Sequence, residues 1–251
     1  MNGSGRTGSS VSPDSAIHIE GISKFFSDLQ VLDSLSMDIL EERVTVILGP
    51  SGCGKTTLLN IISGTDRDFT GEIGGLDGRN VSYLFQEPRL LPWKTVRGNL
   101  EFVLKGSVPA EEIREVIDRN LGVVELSDFE GYYPDQLSGG MKQRAAVARA
   151  FAYPAEILLM DEPFQALDLA LKLNLLDAFL RLWEGSKRTA LFVTHDIQEA
   201  ILLGERIYVL SDRPAKPLAC IALEVPHRER SLEDPGLLRI EQDLYRLLTG
   251  A

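Results

Sequence analysis

The 251-residue chain is 44% hydrophobic and 25% charged, an ordinary globular balance with enough apolar mass to bury a core. Its 37 acidic against 26 basic side chains leave a formal charge of -11, which repels a phosphate backbone and argues against nucleic acid as a partner. With only Cys53 and Cys220, no basic-then-apolar leader order and no apolar window near the about 20 residues of a membrane span, the expected setting is a reducing cytoplasm, with any membrane contact made through a partner.

Residues 1–16 are rich in Gly and Ser without an apolar period and are expected to form a disordered tail. From Ile17 the pattern alternates, as in Ile17-His18-Ile19 and Leu35-Ser36-Met37-Asp38-Ile39, which predicts a small antiparallel β subdomain. Short continuous apolar runs at 44–48, 157–160, 190–193 and 207–210 read as strands buried on both faces by crossover helices. Ile113, Val116, Ile117 and Leu121 fall at helical spacing after Pro109, a residue suited to a first helical turn. The whole reads as an α/β P-loop core with a parallel sheet, an N-terminal antiparallel β subdomain and a helical insertion over about 90–152, making one domain over 17–251.

Three motifs carry chemistry. The run Gly49-Pro50-Ser51-Gly52-Cys53-Gly54-Lys55-Thr56 matches G-x-x-x-x-G-K-[ST] between a strand and the helix start Thr57-Leu58. Glycines let successive N–H groups and the helix N-terminus face phosphate oxygens, Lys55 would reach the β- and γ-phosphates, and the Thr56 hydroxyl would bind Mg²⁺. The strand ending in Asp161-Glu162 delivers two carboxylates to the edge where such sheets hold ligands, Asp161 for Mg²⁺ and Glu162 for the attacking water. Finally, Ser138, Gly139 and Gly140 in Leu137-Ser138-Gly139-Gly140-Met141 open a helix as a second anion site. Two phosphate-binding helix ends and one nucleotide are reconciled when two copies stack head to tail, each ATP clamped by one chain's phosphate loop and the other's Ser-Gly-Gly turn. The plainer alternative for that turn is an ordinary capped helix start.

Together these motifs, with Ala166-Leu167-Asp168 and Thr194-His195-Asp196 in order, resemble the ATP-binding-cassette transporter ATPases. The resemblance implies that Phe26 stacks on adenine, with Phe25 as the competing ring. It implies that Gln86 touches Mg²⁺ and the catalytic water and senses a membrane partner, that His195 contacts the γ-phosphate, and that Asp168 lies at the seam of a homodimer sandwiching ATP. Met141 and Gln165 depart from the common wording. The run Pro88-Arg89-Leu90-Leu91-Pro92-Trp93 is similar to that of importers for nitrate, sulfonates and taurine, which implies transmembrane permease subunits, a solute-binding protein and a place on the cytoplasmic side of the membrane. Trp93 is read as an interface anchor on the permease, with buried core as the competing reading. His18, His227 and Cys220 are read as structural. A soluble cassette ATPase without a transport role is the alternative function.

Overall fold

The structure, a computed structural model, describes residues 15–165 and 167–250. The expected tail lies outside the described residues except for Ser15 and Ala16, which belong to the first strand, where Ala16 is buried. Strands β1 (Ser15–Phe26) and β2 (Leu29–Leu40) form an antiparallel pair, with β4 (Thr70–Gly74) on the other side of β1. Leu35, Met37 and Ile39 face inward while Ser36 is exposed, so the alternation reads out as a half-buried sheet.

The core is a six-stranded sheet of β3 (Val44–Leu48), β5 (Val81–Leu84), β6 (Ile157–Asp161), β7 (Thr189–Thr194), β8 (Arg206–Leu210) and β9 (Pro217–Ala222), ordered β5-β6-β7-β3-β8-β9. The first five are parallel, as expected; β9 corrects the expectation of a wholly parallel sheet by pairing antiparallel with β8. The connection from β8 to β9 is too short for a crossover helix, so the chain returns as a hairpin on the sheet edge. Successive side chains point to opposite faces, which divides each apolar run between two cores. Val46, Leu48, Leu158, Met160 and Phe192 pack under the helical side, whereas Ile47, Leu159, Leu191 and Val193 pack with the N-terminal sheet and helix α1 (Lys55–Ile62).

The insertion contains α2 (Val96–Leu104), α3 (Ile113–Val123) and α4 (Gly139–Ala152), with α2 and α3 packed on α4. Ile117 and Leu121 are buried as their spacing implied, but Pro109 does not open α3: its carbonyl accepts from Glu112 N in a turn before the helix. Thr95 caps α2 by accepting from Gly98 N at 3.1 Å. Buried Asn99 binds both the carbonyl and the N–H of Leu91, which shapes the loop carrying Trp93. The remaining helices are α5 (Leu169–Ser186), α6 (Ile197–Leu203) and α7 (Pro235–Thr249). Among the described residues no helix is long and apolar enough to cross a membrane.

Candidate nucleotide site

Because β5, β6, β7 and β3 are adjacent and parallel, their C-terminal ends share one edge, and each is followed by candidate residues: Gln86, Asp161 with Glu162, His195, and the phosphate loop. In that loop Gly52 and Gly54 have φ of +78° and +122°, and a Cβ on Gly54 would lie 2.7 Å from Val31 Cγ1. Gly49 and Cys53 are buried beneath it, whereas Ser51 and Gly52 are exposed and Pro50 half-buried. No side chain caps α1 at Gly54, so the first-turn N–H groups, including those of Thr56 and Thr57, remain available to an anion. The Lys55 ammonium, 3% exposed, donates to the carbonyls of Gly49 and Pro50, each at 2.8 Å, and lies 3.1 Å from Glu162 Oε1.

Asp161 Oδ1 accepts from the Thr56 hydroxyl at 3.0 Å. Burial pushes its carboxyl above the ordinary range, aided by the neighbouring Glu162 charge and opposed by Thr56 and Lys55. Glu162 sits at φ +44°, and its second oxygen lies 2.8 Å from His195 Nδ1. This backbone turn aims one carboxylate at both the lysine and the imidazole. The oxygen donors of Thr56 and Asp161 suit Mg²⁺, which commonly takes one or two protein oxygens and completes its shell with phosphate and water. The described residues contain no group of three or more His, Cys, Asp or Glu able to hold an ion by themselves.

The other expected residues are placed around this centre. Gln86 donates its amide to Gln165 Oε1, so in this conformation it engages Gln165 rather than Thr56 or Asp161. Arg149 on α4 donates to the carbonyls of Pro88 and Arg89 at 2.9 and 2.8 Å, tying the stretch after Gln86 to the helix that Ser138 begins. Ser138 Oγ caps α4 by accepting from Met141 N at 3.3 Å, a bond made by the Met141 backbone, and the half-buried Met141 side chain packs against the core. Ser138 and Gly139 are exposed and Gly140 is buried; no hydrogen bond joins them to the phosphate loop of their own chain among the described residues. Asp168 caps α5. Phe25 and Phe26 are both about half-exposed, at 50% and 51%. His18 bonds Asp38 and His227 bonds the Leu203 carbonyl, as structural residues do, whereas Cys220 is exposed on β9.

Sequence reading missed two supports. Lys172 binds Asp196 at 2.7 Å and buried Glu199 at 3.0 Å, and Glu199 accepts from Thr194 at 2.6 Å, which fixes the strand end that carries His195. Arg213, in the loop after β8, donates to the Gly52 carbonyl. Its position after the C-terminal end of a strand flanking β3 was the available signal.

A family model described as ABC transporter matches residues 32–165. The aliphatic sulfonates import ATP-binding protein SsuB of Bacillus cereus is 40% identical over 224 residues, covering 84% of this chain and 87% of that protein. An uncharacterized ABC transporter ATP-binding protein of Methanocaldococcus jannaschii, MJ0412, is 40% identical over 232 residues, 86% of each. Among solved structures, a dimeric ABC transporter cassette, MJ0796, superposes with TM-score 0.72 at 31% identity, covering 84% of this chain and all of that one. Its post-hydrolysis dimer bound to ADP and Pi gives TM-score 0.70 at 30% identity over the same 84% of this chain and 100% of that one. The chain belongs to the ABC transporter family, as one of its ATP-hydrolysing cassettes.

Proposed function

We propose that residues 17–251 form the ATPase subunit of an importer of the nitrate, sulfonate and taurine type, acting as a homodimer that sandwiches ATP beneath transmembrane permease subunits on the cytoplasmic side of the membrane and receiving cargo through a solute-binding protein. The observation that carries the chemistry is Glu162 standing between Lys55 and His195 at the mouth of the phosphate loop. The helix end and Lys55 bind the triphosphate, Glu162 accepts a proton from the attacking water, and His195 holds the γ-phosphate end against it. Mg²⁺ held by Thr56 and Asp161, with Gln86 nearby, would supply positive charge to the phosphate oxygens. Ser138, Gly139 and Gly140 of a second copy would close the site from the other side, which agrees with their exposed position at a capped helix start. The importer reading rests on the sulfonate-import relative and on the exposed Trp93 loop immediately beyond Gln86.

The test is purification of the chain from its native membrane in mild detergent. Retention of integral membrane subunits whose presence stimulates ATP hydrolysis is the expected result. Recovery with soluble partners only would favour a non-transport ATPase.

A further inference from the structure

For the base of ATP the site offers two adjacent half-exposed rings, Phe25 and Phe26, on β1. Phe26 ends β1 at the hairpin tip, paired with Leu29, and the returning strand β2 brings Val31 and Leu32 against Gly54 of the phosphate loop. The hairpin therefore presents Phe26 beside the triphosphate site, yet half of the ring is open to water and no aromatic neighbour within the described residues stacks on it.

What does meet the ring is Lys24. Its ammonium lies 4.8 Å from the Phe26 centroid, two residues earlier on the same strand. Lys24 is 3% exposed, an uncommon state for a lysine, and three contacts hold it there: Asp66 Oδ1 at 2.9 Å, the Asp68 carbonyl at 2.5 Å and Asp68 Oδ2 at 3.3 Å. Asp66 Oδ1 also accepts from Asp68 N at 3.0 Å, so the acceptors form one fixed turn just after α1, the helix that starts at the phosphate loop. Burial opposes the charge, but these carboxylates keep the ammonium protonated. A cation held at depth under a half-exposed ring occupies its inner face and leaves the outer face to solvent. Phe25 has no such contact among the described residues.

We infer that Lys24 is a positioning residue for adenine recognition: pinned by Asp66 and Asp68, it braces the inner face of Phe26 by a cation–π contact so that the outer face is set for the purine. The inference rests on the reading of Phe26 as the adenine platform and adds the device that orients it and selects it over Phe25. Through Asp66 and Asp68 the base platform is also joined to the far end of α1, whose near end binds phosphate.

The experiment compares the affinity of the purified full chain for ATP with that for inorganic tripolyphosphate, which has no base. Phe26→Ala lowers the ATP affinity by about tenfold, the size of a lost base–aromatic stack, and leaves tripolyphosphate binding unchanged. Lys24→Met lowers the ATP affinity by about two- to fivefold, again without effect on tripolyphosphate, and adds nothing in the Phe26→Ala background. Lys24→Arg restores most of the loss, and Asp66→Asn with Asp68→Asn reproduces part of it while retaining the lysine. If Phe26→Ala leaves the ratio of the two affinities unchanged, the adenine platform and its brace are both overturned. If Phe26→Ala shifts the ratio while Lys24→Met does not, or if Lys24→Met weakens both ligands equally, the brace alone is overturned and Lys24 is only a fold residue.

Discussion

The Glu162 carboxylate lies 3.1 Å from the Lys55 ammonium, so the group read as the base for water and the group read as the phosphate clamp neutralise each other in the free chain. Glu162→Gln keeps the shape, removes the proton acceptor and releases the lysine from its counter-charge. The expected variant binds ATP at least as tightly as the native chain while its turnover falls by about a hundredfold or more. Phosphate release at saturating ATP, with nucleotide affinity measured in parallel, checks both halves; near-native turnover removes Glu162 from its role.

Trp93 is 70% exposed, which rules out the core reading for the isolated chain. Trp93→Ala should therefore shift stability by no more than about 0.5 kcal/mol, as an exposed substitution does. If the side chain anchors the permease, its truncation costs about 2 kcal/mol of assembly. Melting temperature and nucleotide affinity of the free subunit should hold while retention of permease on the immobilised subunit drops. Unchanged retention would end the interface reading.

Gly54 combines φ of +122° with a would-be Cβ 2.7 Å from Val31 Cγ1 and 2.9 Å from Leu32 Cδ2. Gly54→Ala strains the backbone and pushes the N-terminal sheet from the phosphate loop, at a cost above about 1 kcal/mol. A lowered melting temperature together with lost ATP binding is expected from thermal unfolding and titration. Native values for both would mean that the loop does not need this conformation.

His227 is held below its ordinary pKa of 6.5 by burial and by the nearby Arg230 charge, while its hydrogen bond to the Leu203 carbonyl, 2.7 Å away, opposes the shift. The folded state then binds fewer protons than the unfolded chain below pH 6.5, so the contribution of His227 is complete above that pH and is lost as pH falls through its folded value. His227→Gln, which can still donate to that carbonyl, should flatten part of the fall in melting temperature between neutral and mildly acidic pH. Parallel curves for the two proteins would show that His227 does not carry this acid sensitivity.

The parts of the molecule legible in the sequence are those encoded locally. The run 44–48 became β3 with the expected bounds, because burial on both faces demands five apolar or small residues in succession. The phosphate loop was legible because its glycines answer to backbone geometry within the loop. By contrast β4, Thr70–Gly74, has a single large apolar residue, β9 is an apolar run without alternation on an exposed sheet edge, and α2 was hidden behind the apolar loop before it although Thr95 stood at its cap. The contacts between Gln86 and Gln165, Lys24 and Asp66, and Lys172 and Glu199 join segments that only the order of the strands and the helices on them brings together. Strand order is a property of the whole sheet, and no local spacing encodes it.

The central claim, that one ATP is cleaved between two copies, is tested by mixing two variants that each disable a different half of the site. Lys55→Ala removes the phosphate clamp, and Ser138→Arg fills the exposed helix start that would close over the partner's nucleotide. Each should be inactive alone. In a heterodimer one of the two sites combines an intact phosphate loop with an intact Ser138 turn, so ATP hydrolysis should reappear on mixing and should depend on the proportion of the two chains. If heterodimers form and bind ATP but release no phosphate, the shared site that closes across two copies is contradicted.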